Sequence, residues 1–165
     1  MTRKTATARK VYLGENPLEL ERQVCFALSV ASRCIIGVYR PLLEPHQLTH
    51  PQYLVMLAMW DAAPRSAKDL AAALHFDPAT LSPMLKRLEG LGYLTRERSS
   101  ADERVLTVDL THKGRALRAE AEKIPYAVVD RLGMEVEDLM AIQQSLMRVI
   151  EATDRMPAAE VDPLA

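Results

Sequence analysis

Cysteine is nearly absent from this chain of 165 residues: Cys25 and Cys34 are the only two, and both lie in the stretch QVCFALSVASRC. That stretch reads as helical. Nine residues of helix rise about 13.5 Å and turn the two side chains onto nearly opposite faces. A disulfide needs Cα atoms within about 7 Å, so pairing within one chain is excluded while the helix stands. There is no CxxC, and the four histidines (46, 50, 75 and 112) show no ligand spacing. No metal site and no other cofactor is expected. Aromatic residues are scarce at 5%, which argues against a protein that stacks single-stranded bases. No unbroken apolar run approaches the roughly 18 residues that span a bilayer. The basic start MTRKTATARK is followed by no apolar stretch or small-residue cleavage site, so it does not read as a signal peptide. The expected location is the cytoplasm, where thiols stay reduced. An excess of one charge is missing as well: formal net charge is -1. Bulk charge gives no sign of nucleic acid, and a DNA-binding face would have to come from local clustering of Lys and Arg.

What is present describes a globular chain, 48% hydrophobic and 26% charged, large enough for one domain with extra dimerisation arms. Residues 1–16 read as a flexible arm. Asn16-Pro17-Leu18-Glu19 looks like a helix start, and Leu20, Val24, Leu28, Ala31, Ile35 and Val38 continue at helical spacing, giving a first helix over about 17–39. Pro41 and Pro45 are expected to end or kink it. Thr49-His50-Pro51-Gln52 forms a capping box before the apolar helix YLVMLAMWD. Ser66 caps a short third helix and Asp77 caps a fourth, LSPMLKRLEGLGY, in which Pro83 is expected to fall within the first turns. Tyr93–Arg98 and Val105–Leu110 read as strands joined by the turn SSADE, a hairpin. Thr111 caps the final helical region, where Leu117, Ala121, Ile124 and Val128 form one apolar stripe with a bend at Pro125. Val136, Leu139, Ile142, Leu146, Val149 and Ile150 form a second.

The order predicts a mainly α fold with a small β-hairpin wing, a winged helix-turn-helix with long terminal dimerisation helices. The expected organisation is a dimerisation and sensor helix over 17–48, the winged helix-turn-helix over 49–112, C-terminal dimerisation helices over 113–154 and a frayed tail over 155–165. In the fourth helix Leu81, Leu85 and Leu88 face inward, which leaves Thr80, Ser82, Pro83, Lys86 and Arg87 outward. Short hydroxyls near a helix start suit base edges and phosphates, and the two bases reach backbone oxygens or guanine. The hairpin adds Arg96, Arg98 and Arg104. An arginine at the tip of a β-ribbon suits a narrow minor groove, and Asp102 is placed to hold Arg104. Charge alone does not separate this from a solvated face, because residues 66–115 carry eight bases against seven acids, a net of +1.

The stretch DPATLSPMLKRLEGLGYLTRERSSADERVLTVDLTHKGRAL resembles the recognition helix and wing of MarR-family repressors, including the D-x-R wing and the LT-x-x-G opening of the next helix. LERQVCFALSVASR, YRPLLEP and LTHPQYLVMLAMW resemble the organic-hydroperoxide-sensing OhrR branch, over residues 18–150 in all. The resemblance implies a homodimer that binds a pseudo-palindromic operator when reduced and releases it when a cysteine near the start of the first helix is oxidised by organic hydroperoxide. LERQVCFAL places Cys25 at that position. Cys34 matches nothing in the family and reads as a small core residue beside Ile35 and Ile36.

A sensing cysteine needs thiolate character and room for a sulfenic acid. With a helix starting near residue 17, Cys25 lies more than two turns inside, where the dipole has faded. In the family, tyrosine hydroxyls of the partner subunit donate to the sulfur, and Tyr39 in YRP matches one of them. Where the family has two further tyrosines this chain has Ser29 and His50. His50 of a second copy is expected to replace one, forming an imidazolium–thiolate pair. No cysteine follows residue 34, so the chain resembles the one-cysteine type, whose oxidised sulfur is trapped by a low-molecular-weight thiol or over-oxidised; Cys34 of a second copy stays open as a resolving partner, since the helix excludes only pairing within one chain. Three other readings remain. One is a MarR-type repressor released by a small aromatic ligand, with Cys25 structural. Another is a thiol peroxidase, which the absence of a C-terminal resolving cysteine opposes. The last is a dimerisation module, which would not need the wing arginines.

Overall fold

A computed structural model describes residues 12, 14, 16–98 and 106–156. The sequence places the first helix seven residues too early. Asn16 accepts the Leu18 N–H on Oδ1 at 3.1 Å, and Gln23 donates from Nε2 to the carbonyls of Pro17 (2.8 Å) and Glu19 (3.2 Å). Those bonds close a turn rather than propagate a helix. After a 3₁₀ turn at Leu20–Arg22, Gln23 is extended and becomes the N-cap of α1, Val24–Leu43. Pro41 does not stop α1, which runs two residues beyond it into a second 3₁₀ turn, Glu44–His46.

By length and composition Val24–His46 is long and apolar enough to cross a membrane, which an unbroken-run criterion misses because Ala and Cys raise the average between polar residues. The segment also carries Arg33 and Arg40, both exposed.

α2, His50–Asp61, opens with the expected capping box, in which the Thr49 N–H donates to Gln52 Oε1 at 2.9 Å. It is the central helix, burying Tyr53, Val55, Met56 and Met59 while packing on α1, α3 (Ala67–Leu74), α4 (Pro78–Gly90) and α5 (His112–Ala121). That explains an apolar pattern with no single face. β2, Leu94–Arg98, and β3, Leu106–Leu110, form the antiparallel wing, with Leu94 opposite Leu110 and Arg98 opposite Leu106. A third strand that the sequence does not announce, β1 (Arg65–Ser66), pairs on the other edge of β3 and gives the order β1-β3-β2. Two residues are too few to show a period-2 pattern.

Leu43, Val55, Met56, Met59, Leu70, Leu81, Leu85, Leu88, Leu94 and Val108 are the most deeply buried side chains. Thr111 Oγ1 accepts the Gly114 N–H at 2.9 Å and donates to the Gly92 carbonyl at 2.6 Å, so one hydroxyl both caps α5 and ties it to the turn between α4 and β2.

The described chain divides into two compact units, which part between Glu122 and Lys123. The second holds α6, Ile124–Leu132, and α7, Val136–Asp154. The stripe of Leu117, Ala121, Ile124 and Val128 is buried as expected, whereas Val136, Ile142, Leu146, Val149 and Ile150 of α7 are exposed. Cys34 corrects the sequence reading: it is exposed rather than in the core, on a face of α1 that the helical spacing alone does not assign to core or solvent.

Candidate nucleic-acid interface and thiol site

α4 presents the face the sequence assigns to it. Leu81, Leu85 and Leu88 are at most 2% exposed, and Thr80, Ser82, Pro83, Lys86 and Arg87 are all exposed. The N-cap Asp77 accepts the Thr80 N–H at 2.8 Å and the Thr80 hydroxyl at 2.5 Å. The Thr80 hydroxyl, first, and its backbone N–H hold the Asp77 carboxyl below the usual carboxylate range. The Thr80 proton is thus committed to the cap, and only its lone pairs remain for a ligand. Ser82 is left as the hydroxyl donor of that face. Pro83 needs a correction: it is the sixth residue of α4, beyond the first turn, so the helix forgoes the bond its N–H would have given the Ala79 carbonyl.

The wing departs further from expectation. Arg96 does not project outward as a free cation. Its Nε donates to Glu89 Oε2 at 2.9 Å, Nη2 bonds the same oxygen, and the side chain is 22% exposed. Alternation along β2 puts Arg96 on the same face as buried Leu94, a signal already in the sequence, as is Glu89 one turn beyond Leu85. Arg98 is exposed. Asp102 and Arg104 lie outside the described residues. Two further bases serve the fold: Lys113 donates to the Leu91 carbonyl at 2.7 Å and lies 4.7 Å above the Tyr93 ring, and Arg115 pairs with Asp109 at 2.8 Å. Lys86 and Arg87 carry no such ties among the described residues.

Cys25 is exposed and stands second in α1, after the N-cap Gln23 and Val24. This reverses the expectation of a sulfur deep in its helix. The later start brings Cys25 into the first turn of α1. Tyr39 lies 14 residues further along α1, about 21 Å of rise, so a chain cannot bring its own Tyr39 hydroxyl to its own Cys25 while α1 is straight.

Tyr39 packs edge-on to His50 at 5.0 Å between ring centroids and against Tyr53 at 5.8 Å, and Tyr53 meets Trp60 at 6.3 Å. Burial lowers the His50 pKa and raises that of Tyr39; burial, then the charge of Tyr39, raises that of Tyr53. The expected imidazolium–thiolate pair would add the charge of a second copy's Cys25 to this burial. Tyr53, in HPQY, joins the pair without having been singled out, although its spacing of three from His50 puts both on one helix face.

A cavity of about 350 Å³ opens at the end of α2, lined by Met59, Trp60, Ala62, Leu110, Arg115 and Arg118 among others. Trp60 Nε1 donates there to the Gly114 carbonyl at 2.9 Å.

Comparison with known proteins gives this geometry its setting. The sequence profile of the family described as Transcriptional regulator SarA/Rot matches residues 37–121, just over half the chain. The HTH-type transcriptional regulator TtmR of Methylorubrum extorquens is 39% identical over 132 residues, 80% of this chain and 68% of that protein. The organic hydroperoxide resistance transcriptional regulator of Bacillus subtilis is 37% identical over 134 residues, 81% of this chain and 91% of that protein. Reduced AbfR bound to DNA superposes with a TM-score of 0.70 at 28% identity, over 86% of this chain and all of that one. AbfR, from Staphylococcus epidermidis, has also been solved overoxidized on DNA and with a disulfide formed. With its three-stranded winged-helix fold and this level of identity, the chain belongs to the MarR-type, OhrR-like family of DNA-binding transcriptional regulators, which are not enzymes.

Proposed function

We propose that the chain is a homodimeric repressor that holds a pseudo-palindromic operator when reduced and releases it when organic hydroperoxide oxidises Cys25. The observation that carries this reading is the place of Cys25: exposed, in the first turn of α1, in a chain that shares 37% identity with a regulator named for organic hydroperoxide resistance. The Cys25 thiolate attacks the distal peroxide oxygen. An S–O bond forms, the O–O bond breaks, sulfur loses two electrons, and an alcohol departs after taking up a proton. The resulting sulfenic acid condenses with a low-molecular-weight thiol, forming a mixed disulfide and releasing water. Tyr39 and His50 of a second copy supply hydrogen bonds to the sulfur, His50 through an imidazolium–thiolate pair. The helices of 17–48 and 113–154 form the dimer, and 49–112 read DNA through Thr80, Ser82, Pro83, Lys86 and Arg87 of the recognition helix and Arg98, Asp102 and Arg104 of the wing. Arg96 supports the wing from within. The protein acts in the cytoplasm.

Full release needs about 5.5 kcal/mol of differential affinity. One added oxygen does not supply that locally, so oxidation has to bias a two-state arrangement of the paired DNA-binding lobes and so alter half-site spacing. The test uses reduced protein on duplex DNA from the intergenic region upstream of its own gene, titrated with cumene hydroperoxide beside Cys25→Ser. Release of wild type alone is expected; release of neither, or of both equally, would overturn the reading.

One observation favours a second reading. The cavity beside Trp60, with Met59, Ala62 and Leu110 in its wall, has the size for a small aromatic ligand, with Cys25 structural. In that case salicylate-like acids release Cys25→Ser as readily as wild type, and hydroperoxide releases neither.

A further inference from the structure

We propose that Glu89 and Arg96 form a clamp that sets the pitch of the wing against the recognition helix, so that Arg96 acts on DNA binding as a positioning residue rather than by touching phosphate. This rests on the reading that α4 and the wing bind DNA. Arg96 is the middle residue of β2, held in register opposite Val108. Its guanidinium meets one oxygen of Glu89 through two nitrogens, and the pair is 22% and 38% exposed. Glu89 occupies the last turn of α4, where the helix dipole disfavours a carboxylate. Arg96 offsets that cost while anchoring the strand through two donors on one carboxylate oxygen.

A second cation holds the same helix end from another element. Lys113, in the first turn of α5, donates to the carbonyl of Leu91, the C-cap of α4, and lies over the Tyr93 ring between helix and strand. The end of α4 is therefore gripped by the wing and by α5. Arg98 lies two residues outward of Arg96, about 7 Å along the strand. A change of angle at Arg96 is amplified as a displacement there.

The two possible roles of Arg96 make opposite predictions for Glu89. If Arg96 contacts phosphate, Glu89 is only a competing anion beside DNA, and Glu89→Gln binds as well as wild type or better. If the pair is a clamp, Glu89→Gln binds worse although it removes a negative charge.

The experiment measures affinity of the full-length reduced protein for the upstream intergenic duplex as salt rises from about 50 to 200 mM. Glu89→Gln, Arg96→Met, the swap Glu89→Arg with Arg96→Glu, and Arg87→Ala are compared with wild type. Each clamp variant is expected to bind roughly tenfold more weakly with the salt slope unchanged, and the swap to recover part of the loss. Arg87→Ala is expected to reduce the slope by about 0.9, one released counterion.

A slope reduced by about 0.9 in Arg96→Met, together with undiminished binding by Glu89→Gln, would overturn the clamp. Amide hydrogen exchange on the free protein supplies a readout independent of DNA: faster exchange across β2 and β3 in both single clamp variants supports it, and unchanged exchange counts against it. If Arg87→Ala leaves the slope untouched, the recognition-helix reading fails, and the clamp stands or falls on exchange alone.

Discussion

A Cβ placed on Gly114 would lie 2.1 Å from the Tyr93 carbonyl oxygen. The glycine of LT-x-x-G is there because α5 starts against the backbone of the wing, and its own carbonyl accepts the Trp60 indole. Gly114→Ala is expected to lower stability by about 1–3 kcal/mol, as other overpacked sites do; an unchanged denaturant midpoint would show that the helix start yields freely. His50 makes a pH-dependent prediction. Its folded pKa lies below the ordinary value because burial penalises the cation, so the unfolded chain binds the proton more readily. The stability it contributes is present above the unfolded pKa, about 6.5, and is lost as pH falls from there toward the folded value. His50→Phe should show a flatter stability profile across that window, measured by urea unfolding; an equally steep decline would assign the loss to other groups.

Among the elements, caps were the most legible feature. Thr49, Ser66, Asp77 and Thr111 each begin a helix where the sequence places one; Ser66, Asp77 and Thr111 accept an orphan N–H locally, and Thr49 has its own N–H bonded by Gln52, so none needs tertiary context. Thr111→Ala is expected to cost about 1 kcal/mol, and more than Thr111→Ser, since the hydroxyl also donates to Gly92; equal losses in the two variants would remove the cap from the account of α5. Asn16-Pro17 misled for the same physical reason. An Asn oxygen bonding two residues ahead starts a turn as readily as a helix, and Gln23 decides between them by reaching back. That displacement moved Cys25 from the middle of a helix to its first turn. The Arg96–Glu89 pair was readable in part, since strand alternation put Arg96 on the inner face. β1 was not, because two residues carry no period.

At the scale of the whole molecule, the winged helix-turn-helix could be read from element order, and the exposed face of α4 from its apolar spacing. What covers the apolar surfaces could not be read from one chain. α7 leaves Val136, Ile142, Leu146, Val149 and Ile150 exposed, and the proposed dimer would bury them. Ile142→Lys with Leu146→Lys, four residues apart on one helix face, should shift the protein to monomer in sedimentation velocity while leaving the fold of the DNA-binding unit intact. Persistence of the dimer would place the interface elsewhere. In the proposed dimer this distance matters for the switch: Tyr39 lies about 21 Å along α1 from Cys25 of its own chain, so a Tyr39 hydroxyl on that sulfur has to come from another copy. The most direct measurement follows operator release and Cys25 oxidation in one titration with organic hydroperoxide, reading DNA anisotropy and intact mass on the same samples. A redox switch at Cys25 predicts that released DNA tracks the fraction of Cys25 carrying the added oxygen or thiol. Complete oxidation of Cys25 with the operator still bound would contradict it.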